Sequence, residues 1–371
     1  MGKSIRIILA GGGSGGPVSP LLAVAAEIKK THPGAVFLLV GGRYGPEKQM
    51  AEEAGMGFMP IVCGKWRRYF SLQNFLAPFL TLWGLLSAIF LLKKFRPHAV
   101  FGAGSFYQVP VIWAAWILRI PSVIHQQDIQ PSLANRLTSL ASEKITVSFE
   151  KSLTDFSAGA GIFYKSSAEE KVILTGNPFR EELAGITREK GIRHFNLKSE
   201  MPVLLVLGGG TGSDFINKLI FKALPELSKF VQVLHSYGGR KVPDTGRNEN
   251  YKAYPFIGDM GKAYAAADFV LSRAGLSTIT ELSNLDKISI IIPIPETHQE
   301  YNGFVLDKLK AALVLKQQSA TPEILIKLLK RVMFDISVQK IIKENIAKIM
   351  PKNSAKKIGK ILTRVAEDHA K

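Results

Sequence analysis

The sequence predicts an α/β protein of two Rossmann-like domains that face each other across a cleft. Three observations predict it. The chain has 371 residues, more than one domain usually holds. Short apolar runs of strand length recur along it, separated by stretches of helical periodicity. Two of those runs open directly into glycine-rich turns, Gly11–Gly16 and Gly208–Ser213, so the α/β series begins twice.

The elements follow in order. Ile5–Ala10 is a continuous apolar run that ends in glycines, which fits a buried strand better than a signal peptide. A helical pattern covers Leu21–Lys29, and Val36–Val40 is again apolar and β-branched, which completes a βαβ unit. Ala99–Phe101 and Ser122–His125 continue the series, with a helix over Val109–Leu118 between them. The second series has strands at Val203–Leu207, Val231–His235, Phe269–Ser272 and Ile288–Ile292. The boundary is placed at Asn177-Pro178, giving domains 1–177 and 178–353. A basic amphipathic helix, Ser354–Ala370, is expected to pack back on the first domain.

Composition narrows the classes. Hydrophobic residues at 46% and charged residues at 21% supply large cores and exclude a disordered chain. Cys63 is the single cysteine, so no intrachain disulfide forms, and no Cys/His cluster has metal-ligand spacing. A reducing, cytoplasmic setting fits. The formal charge of +18 attracts nucleic acid, anionic lipid or phosphorylated substrates. No helix-turn-helix, RRM or KH signature is present, so nucleic acid ranks last and is not expected as a partner.

Five stretches could carry chemistry. The turn Gly11-Gly12-Gly13-Ser14-Gly15-Gly16-Pro17 sits between strand and helix, where backbone amides can meet an anion. Gly208–Ser213 repeats the device, and neither turn is a Walker A or a clean dinucleotide fingerprint. Either loop can equally be a structural βα turn. Ser272–Glu281 is either an ordinary helix start or a phosphate site, with Glu281 one turn in to accept from ribose hydroxyls. Pro293–Asn302 is either a solvated loop or part of a ligand site beyond the strand ends. His125-Gln126-Gln127-Asp128 ends a strand, and His125 is either structural or catalytic. Finally, Phe75–Leu92 is free of charge over eighteen residues, flanked by Lys65, Arg67 and Arg68 before and Lys93, Lys94 and Arg96 after. It reads as a buried helix or as one that dips into an anionic membrane surface, ahead of a true span.

Taken together, these motifs resemble the MurG family, which transfers N-acetylglucosamine to undecaprenyl-pyrophosphoryl-N-acetylmuramyl-pentapeptide. The resemblance covers nearly the whole chain. It runs through the first glycine loop with Pro20 and Leu22–Ala25, Gly102–Phe106 with Pro110, and His125–Asp128 with Asn135. It continues through Gly176–Arg180, the second glycine loop to Asn217, Phe256–Met260, Arg273–Glu281, and His298-Gln299 with Asn302. It implies the GT-B fold and an inverting, metal-independent displacement at the sugar anomeric carbon, without a cofactor. No Asp-x-Asp occurs in the chain. The leaving charge of UDP is then expected to fall to helix N-termini, backbone amides and Arg273. By resemblance, Ile257 holds uracil through its backbone, Arg180 borders the nucleotide, Glu281 binds ribose and Gln299 contacts the sugar. Gly210 and Thr211, with Leu276, Ser277, Thr278, Ile279 and Thr280, line the donor, while Ser14, Gly15 and Gly16 face the acceptor pyrophosphate. The setting implied is peripheral, on the cytoplasmic face of the cell membrane.

The chain departs from the family pattern at several positions. Pro17 stands where the family has a histidine, Gln126 where it has glutamate, Asp128 where it has asparagine, and Gly210 where it has serine. The usual Tyr-Val-Ser-Gly-Pro becomes Phe106-Tyr107-Gln108-Val109-Pro110. Pro17 removes the usual candidate base, so Asp128 is expected to take the acceptor proton, helped by His125. The altered acceptor loops keep open a related transferase with another UDP-sugar or lipid acceptor, and a non-catalytic UDP-sugar-binding subunit. A UDP-sugar 2-epimerase shares the fold, but the apolar helix and basic surface favour a lipid acceptor.

Overall fold

The computed structural model describes residues 4–13, 15–64, 73–157, 171–209, 212–239 and 248–370. They fall into two units, Met1–Phe179 with Met350–Lys371, and Arg180–Ile349.

In the first unit the strands are β1 (Arg6–Ala10), β2 (Val36–Gly41), β3 (Gly57–Pro60), β4 (Ala99–Gly102), β5 (Ser122–Gln126), β6 (Lys144–Val147) and β7 (Val172–Leu174). They pair in parallel in the order β3-β2-β1-β4-β5-β6-β7. The helices are α1 (Gly15–Thr31), α2 (Glu47–Glu53), α3 (Gln73–Phe95), α4 (Gln108–Ile117), α5 (Leu133–Ser139) and α6 (Lys151–Ser157). After Arg6, β1 is apolar because both its faces are covered: Ile7 and Leu9 join one core, Ile8 and Ala10 the other. Pro17 is tolerated in the first turn of α1, where a backbone N–H has no intrahelical partner.

In the second unit β8 (Val203–Leu207), β9 (Gln232–Ser236), β10 (Tyr251–Tyr254), β11 (Phe269–Ser272), β12 (Ile288–Ile291) and β13 (Leu313–Val314) pair in parallel in the order β10-β9-β8-β11-β12-β13. Its helices are α7 (Arg188–His194), α8 (Asp214–Leu227), α9 (Met260–Ala266), α10 (Leu276–Asn284), α11 (His298–Lys308), α12 (Pro322–Phe334) and α13 (Ile336–Ile346).

The last helix, α14 (Ser354–Ala370), belongs to the first unit. Ile358, Leu362, Val365 and Ala366 recur at helical spacing and share a core with Val24, Ala25 and Ile28 of α1. Burying each of the larger side chains contributes roughly 1.5–3 kcal/mol. Its lysines Lys356, Lys357 and Lys360 face outward.

α3 is not a buried helix, which settles one of the two readings of Phe75–Leu92. Among its residues 77–95 only Ala77, Gly84, Ala88 and Leu92 are buried, and they form one narrow face. That face packs on α4 closely enough that a Cβ on Gly84 would stand 3.4 Å from Pro110. On the outside, Phe79, Trp83, Leu86 and Phe90 are 72%, 64%, 57% and 72% exposed and recur at helical spacing. By length and composition Ala77–Phe95 could cross a membrane. Here it is the crossover that returns the chain from β3 to β4.

Candidate functional site

Each sheet reverses its strand order once, between β1 and β4 and between β8 and β11. In an open parallel sheet the loops that diverge at such a reversal leave a crevice at the strand C-termini, and ligands bind there. Both glycine loops leave the strands at these points.

In the first unit, Ser105 Oγ, from the loop after β4, donates to the Gly12 carbonyl at 2.9 Å. Gly13, at φ 88°, gives its amide proton to the carboxylate of Glu47, a fully buried residue at the start of α2. The other Glu47 carboxylate oxygen is buried with no hydrogen-bond partner among the described residues. Ser14 lies outside the described residues. Gly15 and Gly16 open α1.

The strand end that carries Asp128 is fixed by a chain of buried amides. Gln108 Oε1 accepts from the Gly104 amide at 2.7 Å, and its Nε2 donates to Asn135 Oδ1 at 2.6 Å. Asn135 Nδ2 donates to the His125 carbonyl at 3.0 Å and to Gln126 Oε1 at 2.6 Å. Gln126 Nε2 in turn donates to the carbonyls of Asp128 and Gln130 at 2.7 and 2.9 Å. An amide can both accept and donate here, which a glutamate at position 126 could not do when ionised. Asp128 is half-buried at the end of this chain.

His125 takes a different part from the one expected. It is fully buried, with Nδ1 3.0 Å from Thr146 Oγ1 and Nε2 3.0 Å from Asn177 Oδ1 and 3.3 Å from Ser148 Oγ. Burial pushes its pKa down to about 4. Both ring nitrogens are engaged inside the protein, so His125 holds the segment at Asn177 rather than assisting proton transfer to Asp128.

In the second unit, Gly210 and Thr211 lie outside the described residues. Ser213 caps α8 by accepting from the Ile216 amide at 3.3 Å. Arg273, expected to meet the charge of the leaving group, is buried and faces protein. Its Nη2 donates to Ser213 Oγ at 2.7 Å, and its Nη1 to the carbonyls of Ile292 and Pro293 at 3.0 and 3.3 Å. It therefore ties together the loops after β8, β11 and β12. Asn302 adds a bond from Nδ2 to the Ala274 carbonyl at 3.0 Å.

Beside these ties α10 begins at Leu276 after Gly275, which has no side chain to cap it. The opening amides of Leu276, Ser277 and Thr278 precede the helical ladder. Ile279 and Thr280 do not belong with them. The Ile279 amide bonds the Gly275 carbonyl at 3.0 Å, and the buried Thr280 hydroxyl donates to the Leu276 carbonyl at 2.8 Å. One turn on, Glu281 accepts from Tyr264 Oη at 2.7 Å and pairs with Arg180 Nη2 at 3.4 Å. Burial raises the Glu281 pKa, against the opposing hydrogen bond from Tyr264 and the charge of Arg180. Ile257 is buried in the loop between β10 and α9, and Gln299 opens α11 with Oε1 accepting from the Ile294 amide at 3.3 Å. Arg180, Tyr264 and Glu281 thus meet directly, as do Arg273 and Ser213. Sequence reading missed Glu47 and Tyr264, and placed Ser105 and Ser213 in motifs without giving either a role. Ser213 had a signal, as a hydroxyl residue just before an apolar helix, and Ser105 one in the Gly102–Phe106 motif; Glu47 and Tyr264 had none.

Comparison with known proteins gives the family and the fold. Residues 7–147 match the glycosyltransferase family 28 N-terminal domain and residues 203–358 the family 28 C-terminal domain. The chain is 36% identical over 333 residues to a Clostridium kluyveri protein, covering 88% of this chain and 90% of the relative. It is 32% identical over 373 residues to a protein of a Thermoanaerobacter species, covering 97% and 100%. Both are named UDP-N-acetylglucosamine–N-acetylmuramyl-(pentapeptide) pyrophosphoryl-undecaprenol N-acetylglucosamine transferase. The crystal structure of Acinetobacter baumannii MurG superposes with a TM-score of 0.73 at 23% identity, covering 97% of this chain and 99% of that one. A UDP-GlcNAc 2-epimerase from Neisseria meningitidis superposes at 0.65 with 16% identity, covering 97% and 100%, a likeness of fold alone.

The two buried histidines give a pH prediction. His125 and His235 both have pKa values lowered by burial to about 4, below the unfolded value of about 6.5. The unfolded chain therefore binds more protons in that window, and stability falls as pH drops from about 6.5 through 4. Denaturant midpoints measured across that range are expected to decline less steeply in His125→Gln than in the wild type. Equal slopes would place the buried neutral imidazole in error.

Proposed function

The chain belongs to the MurG family of family 28 glycosyltransferases, and we propose that it moves N-acetylglucosamine from UDP-N-acetylglucosamine to undecaprenyl-pyrophosphoryl-N-acetylmuramyl-pentapeptide. The observation that carries this reading is the pair of glycine loops at the two strand-order reversals, which suits one phosphate-bearing substrate per unit. The epimerase alternative rests on fold alone, whereas the transferase relatives share about a third of their residues with most of this chain.

In this reading the second unit takes the donor. The Ile257 backbone meets uracil, Arg180 and Glu281 meet ribose, and Gln299 meets the sugar. The opening amides of α10 and of the second glycine loop face the diphosphate, where negative charge develops as the bond breaks. The first unit takes the acceptor, with Gly15 and Gly16 toward its pyrophosphate. Asp128 removes the proton from the acceptor hydroxyl. That oxygen forms the new bond to the anomeric carbon from the face opposite UDP, and the electron pair of the old carbon–oxygen bond leaves with UDP. The configuration inverts. His125 and Arg273 act by holding these loops in place.

The enzyme works at the cytoplasmic face of the membrane, where its lipid-linked acceptor resides. The stripe Phe79, Trp83, Leu86 and Phe90 is an apolar band flanked by the exposed Lys93, Lys94 and Arg96. Such a band lies in the headgroup region while the basic residues meet anionic lipid.

Transfer of labelled N-acetylglucosamine to a short-chain analogue of the lipid-linked acceptor tests the reaction. The wild type is expected to form product, and Asp128→Asn to lose about a hundred- to ten-thousand-fold in kcat with both KM values kept. Donor binding without product in the wild type would point to another acceptor or a non-catalytic subunit. Full turnover in Asp128→Asn would remove Asp128 as the base. For the membrane face, the Trp83→Ser, Phe90→Ser double variant is expected to lose sedimentation with anionic vesicles while still turning over the soluble analogue. Unchanged vesicle binding would contradict that placement.

A further inference from the structure

Resting on the ribose assignment of Glu281 above, we propose that Tyr264 is a positioning residue for the donor: its hydroxyl holds Glu281 as an acceptor for the two ribose hydroxyls, and so selects a ribonucleotide over its 2′-deoxy counterpart. A ribose presents two adjacent hydroxyl donors. An ionised carboxylate answers them with acceptors on both oxygens, whereas a protonated one keeps a donor of its own. Glu281 therefore needs its charge, and burial works against it by raising its pKa.

Among the described residues, two titratable groups oppose that rise, Tyr264 and Arg180. Their geometry separates them. Tyr264 Oη donates to Glu281 Oε2 at 2.7 Å, the length of a charge-assisted bond. Arg180 Nη2 stands 3.4 Å from Oε1, and its side chain is 41% exposed, so water screens the pair. Tyr264 is the stronger hold. It can only donate, because burial and the Glu281 charge raise its own pKa well above the ordinary value and keep the proton on the phenol oxygen. Tyr264 itself is fully buried, while the Glu281 side chain remains 17% exposed beside Arg180. A nucleotide can thus reach the carboxylate from the open side while Tyr264 holds it from within.

The helix that carries Tyr264 is fixed by close packing. α9 follows directly on the loop of Ile257 and lies against α7 and the turn Glu181–Leu183. A Cβ on Gly191 of α7 would stand 2.5 Å from the Lys262 carbonyl oxygen and 2.7 Å from the Ala266 nitrogen. One on Gly261 would stand 2.7 Å from Ile186 Cδ1 and 3.2 Å from Leu183 Cα. Both positions have to be glycine for α9 to sit this deep. The same contacts set the turn that follows Arg180. A donor held this way loses little freedom when the nucleotide binds.

Calorimetric binding of UDP and of 2′-deoxy-UDP tests this without turnover, in wild type, Tyr264→Phe, Glu281→Ala and the double variant, between about pH 6 and 9. The wild type is expected to bind UDP about tenfold more tightly than the deoxy form. Tyr264→Phe keeps the ring and its packing. Near neutral pH its UDP affinity is expected to fall about tenfold, and its preference for ribose with it. Both are expected to recover as pH rises and the carboxyl ionises, so the variant loses affinity at a higher pH than the wild type does. In the Glu281→Ala background the same substitution is expected to cost nothing further, because Tyr264 acts through that carboxylate. In the transfer assay Tyr264→Phe is expected to raise the donor KM and leave the acceptor KM alone. A Phe variant that keeps the wild-type preference at every pH would overturn the proposal. So would one that weakens both nucleotides alike in both backgrounds, the mark of packing alone. Equal binding of UDP and 2′-deoxy-UDP by the wild type would overturn the ribose assignment of Glu281 and this proposal with it. A Tyr264-dependent preference for UDP in a protein that transfers nothing would uphold Tyr264 and overturn the proposed reaction.

Discussion

In each sheet a side chain crosses the point where strand order reverses and ties the loops there together. In the first unit Ser105 reaches the Gly12 carbonyl, and in the second Arg273 reaches Ser213. The need for such a tie follows from geometry. At a reversal the two adjacent strands send their connections to opposite faces, so no helix covers the gap between them. The loops there have few apolar contacts of their own, and a glycine-rich loop has more conformational freedom to lose than any other. A side-chain hydrogen bond across the gap fixes the loop without filling the space that a phosphate needs. The second unit uses a stronger tie. Arg273 joins three loops at once, and burial of its guanidinium makes those bonds costly to break.

Behind these ties stand two similar polar clusters. His125 on β5 bonds Asn177 and Thr146, and His235 on β9 bonds Asn217 and Tyr251. In each, a neutral imidazole presents two nitrogens to fixed partners, and burial keeps it neutral. Asn217 passes the effect on, since its Nδ2 donates to the Tyr237 carbonyl at 3.1 Å. That carbonyl lies where a Cβ on Gly212 would stand, so the second glycine loop and the loop after β9 can pack only with glycine there. The first unit uses its cluster to set the segment at Asn177, and its amide chain from Gln108 to Gln126 to set Asp128. Residues that carry chemistry in other settings serve here to hold neighbouring loops in place.

Much of the fold was legible because parallel strands buried on both faces are continuous apolar runs, and β1, β8, β11 and β12 are such runs. β3 was missed because its residues are mostly exposed and include glycine and proline. The surface position of α3 could not be read because the helix is apolar all round, and periodicity then gives no outward face. For the site, the sequence identified residue types and missed their orientation. His125 and Arg273 look catalytic by type, yet only the structure shows that their polar atoms face protein. Glu47 had the opposite fate. It sits in a run, Glu47-Lys48-Gln49, that reads as a solvated helix start, while three glycines at positions 12, 41 and 45 make the room in which its carboxylate is buried.

The claim that these ties hold the loops is tested most directly by backbone amide hydrogen exchange in the wild type, Ser105→Ala and Arg273→Met. The account predicts that Ser105→Ala speeds exchange across Gly11–Gly16 by about fivefold, the value of one net hydrogen bond, and leaves Gly208–Ser213 unchanged. Arg273→Met should do the converse. Loops that exchange at the wild-type rate in both variants would contradict the account.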